Sequence, residues 1–188
     1  WDSFYDSFFA DPNMAWHDGL DTEALNALKG EERDEAEKLL TDALASGDYR
    51  PAIGLGVLGA KASVAKLKEQ LTDAGGKTEV ETALALWKIA EWPPAVNILI
   101  RALKDGAHWS IRMDAARALG DVETAKSVQA LLSGMNDTEH LVRCHCAASL
   151  IEMLNLPAKS NDSGSYELSI EVMGHKKARE KAIAEIKD

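Results

Sequence analysis

Apolar residues recur along this chain with two periods at once. Within short stretches they follow the i, i+3, i+4 spacing of an amphipathic helix, and whole stretches return after about 31 residues. Tyr49, Val80, Ile111 and Val142 stand 31 positions apart, and each opens a helical run. Ala36, Leu67, Leu99 and Leu131 mark an earlier helix in each unit, at spacings of 31, 32 and 32, with Leu40, Leu71, Leu103 and Met135 one turn further on. Two helices per unit at this period predict an all-α solenoid of antiparallel helix pairs. No unit of such an array buries its apolar face alone, so stacked neighbours supply the core.

The punctuation supports this reading. Helices are expected near 22–29 and over 31–46, 48–59, 62–73, 78–91, 93–105, 108–119, 122–133 and 138–155. Gly47, Gly75-Gly76, Gly106, Gly120 and Gly134 fall in the gaps, where a helix end favours a residue tolerant of positive φ. Pro93-Pro94 opens a helix at its first turn, where the missing N–H does no harm. At the N-terminus, Trp1, Phe4, Tyr5, Phe8 and Phe9 lie on one helical face before a break at Asp11-Pro12-Asn13. This aromatic helix either covers the open end of the array or docks a partner; the cap is the favoured reading. The polar segment 157–165 reads as an exposed loop. Leu168, Ile170 and Val172 then lead to a last amphipathic helix over 175–187 with Ala178, Ala182, Ile183 and Ile186 inward. The expected organisation is a single repeat domain over 1–188, with a cap in 1–20, repeats in 21–156 and a closing segment in 157–188.

Two of the second helices, 111-IRMDAARALG-120 and 142-VRCHCAASLI-151, resemble the V-R-x-x-A-A-x-x-L-G helix of HEAT-like repeats, in particular the short class named after phycobilin lyases. The resemblance covers roughly 31–156 and is looser near 49–59 and 80–90, where Gly54, Gly56 and Gly59 stand for alanines and Lys88 for a leucine. It implies a right-handed α-solenoid of HEAT-like repeats with N- and C-terminal capping helices. Most such arrays bind proteins. A minority are bilin lyases, iron-dependent hydroxylases or DNA glycosylases, and fold analogy does not choose among them. The hydroxylase branch uses His-Glu dipeptides on successive repeats, and this chain has none.

Charge narrows the choice. The 188 residues carry 31 acidic against 21 basic side chains, a formal net charge of −10. Such a surface suits a basic protein partner and disfavours nucleic acid and anionic lipid. No apolar stretch approaches the ~20 residues of a membrane span, and unpaired thiols fit a cytoplasmic setting. Cys144 and Cys146 sit two apart on a helix and point about 200° apart, so they do not form a disulfide with each other. With His140 and His145 nearby the run suggests a metal site. Consecutive residues splay around a helix, however, and at most two of Cys144, His145 and Cys146 reach one ion. Structural zinc wants four, so neither metal nor other cofactor is expected. Cys146 shares the core column of Ala115 and is expected to be buried.

The candidate site residues gather around an unusual concentration of tryptophan. Trp87, Trp92 and Trp109 fall within 23 residues, with Arg112, Asp114 and Arg117 close by in sequence. Aromatics beside arginine are the usual makeup of a protein-interface hot spot, so at least one of these tryptophans is expected to be well exposed. A base-stacking glycosylase would need the same aromatics, with Asp114 as catalytic carboxylate; the acidity of the chain weighs against that. Arg112 and Arg143, matched by Arg50, read first as ties from a helix to a neighbouring carboxylate or carbonyl, and second as an anion-binding row. An alternative groove is the apolar set Leu55, Leu86 and Ile89. These fall among columns, from Pro51 and Leu58 to Thr82, that would face solvent in a bare array unless the N-terminal helix covers them. Gly54-Leu55-Gly56 lacks the third glycine of a dinucleotide loop, and no phosphate loop or nucleophile elbow is present. The reading is therefore a non-catalytic binding scaffold, adaptor or inhibitor. An immunity protein that neutralises a basic toxin in bacteria is one concrete version. The alternative is an enzyme or enzyme subunit, bilin-lyase-like or glycosylase.

Overall fold

Every stretch with helical periodicity between residues 22 and 154 forms a helix. The structure, a computed structural model, describes residues 1–10 and 19–154. Asp11-Pro12-Asn13, the loop 157–165, the run from Leu168 to Val172 and the expected helix 175–187 lie outside the described residues. The helices are α1 (Asp2–Phe9), α2 (Thr22–Ala27), α3 (Glu31–Ala43), α4 (Arg50–Leu58) and α5 (Val64–Gln70). They continue as α6 (Gly76–Ala90), α7 (Pro93–Asp105), α8 (Trp109–Val122), α9 (Ala125–Gly134) and α10 (His140–Met153). Single 3₁₀ turns at Leu44–Ser46 and Lys61–Ser63 extend α3 and lead into α5. Among the described residues the fold is all-α, as a helical-repeat solenoid requires, and no described helix is long and apolar enough to cross a membrane.

The long-period register places the core. Ala36, Leu67, Leu99 and Leu131 are each completely buried, as are Val80 and Val142. Tyr49 and Ile111 hold the same register but are only half-buried. Helix ends follow the expected logic at Gly47 (φ 75°) and Gly59 (φ 63°), which close the 3₁₀ turn and α4 in the left-handed region. Gly120 departs from expectation. It lies inside α8, which runs on to Val122, and Glu123 takes the left-handed position at φ 50° instead.

Contacts group the chain into two compact units, Trp1–Pro93 and Pro94–Asp188. In the first, α1 and α2 pack on α4, α3 packs on α4, and α4 lies along α6. Phe4 and Phe8 of α1 enter the same apolar cluster as Leu25, Leu40, Leu55, Leu58, Leu86 and Ile89. The neighbouring polar row of α1 fixes its seat: Ser3 Oγ donates to Asp21 Oδ2 at 2.6 Å, and Asp21 N donates to Ser7 Oγ at 2.7 Å. Asp21 also caps α2 through Ala24 N at 2.8 Å, and these hydrogen bonds, Ser3 first, hold its carboxyl below the usual range. A methyl at Gly54 would meet Phe8 Cε1 at 2.9 Å and Leu40 Cδ1 at 2.8 Å. The glycine that weakens the repeat pattern at this position is the slot for the aromatic helix.

This packing overturns the alternative groove. Leu55 and Leu86 are 0% exposed and Ile89 is 9% exposed, and Pro51, Leu58 and Thr82 are buried too. Helices α1 and α2 supply apolar side chains to a surface that a bare array would leave open, so these columns are core.

In the second unit α8 packs along α10, and α9 packs against both. Gly120 of α8 explains how closely: a methyl there would lie 2.7 Å from Ser149 Oγ and 2.9 Å from its Cβ. Ser149 in turn donates to Ala116 O at 3.1 Å. The first unit repeats the device, since a methyl on Gly56 of α4 would sit 3.3 Å from the Cα of Ala85 on α6. Each pair is separated by 29 residues in sequence. Small residues at these crossings let the second helices of successive repeats approach backbone to backbone. Ala115→Leu and Gly120→Leu are each expected to cost about 1–3 kcal/mol by overpacking, read from denaturant midpoints. Gln129→Leu on the exposed side of α9 should stay within about 0.5 kcal/mol. Unchanged stability in the first two would place α8 differently against α10.

Candidate protein-binding site

The recurring arginine is where the repeat shows its polar chemistry. Arg112, in the first turn of α8, reaches Asp137 with two hydrogen bonds, Nε to Oδ2 at 2.7 Å and Nη2 to Oδ1 at 3.0 Å. Its remaining arm donates to Gly106 O at 3.0 Å. One repeat later Arg143 donates to Asp137 O at 2.7 Å and to Thr138 O at 2.9 Å. Both arginines therefore reach the carbonyl six residues before themselves, in the turn that leads into their own helix. Arg50 makes the analogous tie in the first unit, to Asp48 at 2.7 and 2.9 Å and to Ala10 O at 3.2 Å. A planar fork suits this bidentate role. Arg112 is accordingly a structural tie between α8 and the α9–α10 turn, and its guanidinium is not offered to a partner.

The other predicted site residues divide between the units, Trp87 and Trp92 in the first, Trp109, Arg112, Asp114 and Arg117 in the second. All three tryptophans are half-buried, so none is as exposed as a free-standing anchor would be. Trp92 packs against the edge of the first unit's apolar cluster, with Lys68 Nζ 5.0 Å from its ring centre. Trp87 does not fill the space beside Gly56, which Ala85 occupies. Trp109 lies 5.3 Å from the ring of His108, whose Nδ1 caps α8 through Ser110 N at 3.3 Å. Asp114 is buried, while the Arg117 side chain is 64% exposed, 4.0 Å from it.

His145, weighed from the sequence only as a metal-site candidate, is marked by the register as a neighbour of Asp114. Ala52, Ala83, Asp114 and His145 form one column at a spacing of 31, small and apolar in the first two repeats, ionisable in the last two. His145 is half-buried; burial and the Arg117 charge push its imidazole below the ordinary range, with Asp114 opposing. A missed group lies in the first unit. Gln70, at the end of α5, donates from Nε2 to Leu44 O at 3.1 Å and Asp48 O at 3.3 Å, and accepts from the buried Thr82 hydroxyl at 2.8 Å. It forms part of the wall of a groove of about 430 Å³, enclosed by the end of α3, α5 and the start of α6. Neither signal could be read from residue type alone.

The Cys-His run disperses as the helical angles require. Cys144 Sγ lies 3.4 Å from His140 Nε2, one turn back on α10. His145 faces Arg117 and Asp114, and Cys146 is completely buried. A methyl on Gly134 would lie against Cys146 Sγ, which shows how closely α9 covers it. Burial pushes the Cys146 thiol up to about 12.

These features define a helical-repeat protein whose register is held by small-residue crossings and arginine ties. Residues 64–151 match the family of HEAT repeats, and that stretch is an array of HEAT-like repeats. No curated protein matches it. HEAT repeats commonly mediate protein interactions.

Two expectations follow from the site chemistry. The Arg112 hydrogen bond, aided by Glu139 N–H, holds Asp137 below its ordinary value of 3.8. Its contribution to stability is therefore full above that value and is lost as pH falls through the lower folded one. Asp137→Asn should cost roughly 1–3 kcal/mol near pH 7, and the gap from wild type should close in urea melts at the acid end. A gap independent of pH would remove the ion pair from the account. A thiol reagent at neutral pH should modify Cys144 in the native protein and Cys146 only after denaturation. Rapid native labelling of Cys146 would contradict its burial.

Proposed function

We propose that this protein is a non-catalytic scaffold that binds another protein bearing a basic surface, acting as an adaptor or as an inhibitor of the immunity-protein type. The observation that carries the reading is the match of residues 64–151 to HEAT repeats on a chain of net charge −10. A chain with an excess of carboxylates attracts a cationic partner over distance and repels acidic ones. Partly accessible Trp87, Trp92 and Trp109, with the exposed Arg117, are the residue types that anchor such contacts. The glycosylase alternative is weaker, because Asp114 is nine-tenths buried and Arg112 is spent on Asp137. Nothing favours the bilin-lyase alternative.

Affinity capture from the native cell with the full chain as bait, followed by calorimetry on the purified pair, tests the proposal. A stoichiometric complex with a protein is expected. Its association rate should fall by about tenfold or more as salt rises from low to several times physiological strength. A complex indifferent to salt would refute the basic partner, and turnover of a small substrate by the purified chain would refute the non-catalytic reading.

A further inference from the structure

The groove in the first unit has an acidic lining. Its lining includes Asp42 from the last turn of α3, Glu69 from the last turn of α5, and Asp73 from the turn that follows. Among the described residues Lys66 is the one lysine or arginine in that lining, and it is bonded to Glu69 at 3.1 Å. Asp42 and Asp73 have no ion pair or side-chain hydrogen bond among the described residues. The nearest cation on the start of α6, Lys77, is drawn away onto the ring of Tyr49, with Nζ 4.1 Å from its centre. Helix ends do not restore the balance. The N-terminus of α6 brings roughly half a positive charge, and the C-termini of α3 and α5 about half a negative one each, so the helix ends do not offset the carboxylates. Three carboxylates against one ammonium leave the groove about two charges negative.

The shape is also suited to an entering side chain. At about 430 Å³ the groove falls within the size range of ligand clefts, roughly 300–1,000 Å³. Gly75 leaves one wall without a side chain, and a methyl built there meets nothing within 4 Å. Ala45 and Ala74 add accessible apolar surface to the lining, fit for the methylene stem of a long cation. The Gln70 carbonyl and amide, already satisfied by Thr82, Leu44 and Asp48, make the wall rigid.

We propose that this groove seats a lysine or arginine side chain projecting from the basic protein partner, its stem on Ala45 and Ala74 and its charge between Asp42 and Asp73. The proposal rests on the scaffold reading and assigns it a contact point. Hexalysine peptide serves as the probe, titrated into the isotope-labelled full chain while amide shifts are followed. The largest shifts are expected at Gly47, Gln70, Ala74 and Gly75. The double variant D42N/D73N should weaken binding by about tenfold, as the loss of two solvent-facing ion pairs allows. A control that removes the same charge from the exposed N-terminal part of α3, D34N/E35Q, should weaken it less than about twofold. Gly75→Trp should also block the site, because its φ of −142° suits any residue. Should that variant fold poorly in a thermal melt, the D42N/D73N comparison decides alone.

Equal weakening by the two charge pairs, or shifts spread evenly over the acidic surface, would overturn the proposal. So would a captured protein partner that binds D42N/D73N as tightly as wild type; that result leaves the scaffold reading standing. Failure to find any protein partner would instead sink the scaffold reading, whereas the peptide titration judges the groove by itself.

Discussion

Close approach of successive second helices is the constraint on which the rest of this structure depends. A helix pair has more apolar surface than it can bury internally, so stability comes from laying one pair against the next. Side chains larger than a methyl at the crossing would hold the backbones apart and open voids in the layers on either side. Gly56 against Ala85 and Gly120 against Ser149 meet that demand at the same sequence separation in the two units. Leucines and valines flanking the crossings, such as Leu86 and Val80 or Leu119 and Val142, then reach complete burial.

The turns between helices carry backbone carbonyls that need donors. The recurring arginine supplies them. Arg50, Arg112 and Arg143 each spend their guanidinium on turn carbonyls, with Asp48 and Asp137 as counter-ions for the first two. Gln70 does the same work with an amide, linking Leu44 O and Asp48 O to the Thr82 hydroxyl. Among the described residues no buried side-chain polar atom lacks a partner. The polar network is thus part of the packing rather than a reserve for ligands, which makes an arginine in a repeat motif a poor guide to a binding surface.

The packing leaves some charged groups at the surface. In the first unit these are the carboxylates of Asp42 and Asp73 around a groove walled partly by glycine. In the second, Arg117 projects to solvent beside buried Asp114 and half-buried His145. An acidic chain with these features has the electrostatics of a protein-binding scaffold, where charge sets encounter and a few pockets set specificity.

The amino-acid sequence by itself determined the helices, their pairing period and most of the core. Period and amphipathicity are local consequences of helical geometry, so spacing alone is enough to put Ala36, Leu67, Leu99 and Leu131 inside. The arginine ties and the burial of Cys146 were legible for the same reason, since a column repeats its environment. Only the tertiary structure decided the fate of Leu55, Leu86 and Ile89. Their exposure depended on whether α1 and α2 fold back over α4, a long-range event fixed by Phe8 meeting Gly54 and by Ser3 and Ser7 meeting Asp21. The tertiary structure also brought Asp42, Glu69 and Asp73 to one groove from separate turns. Periodicity says which way a side chain points from its own helix, but the neighbour it meets is set by how whole helices pack.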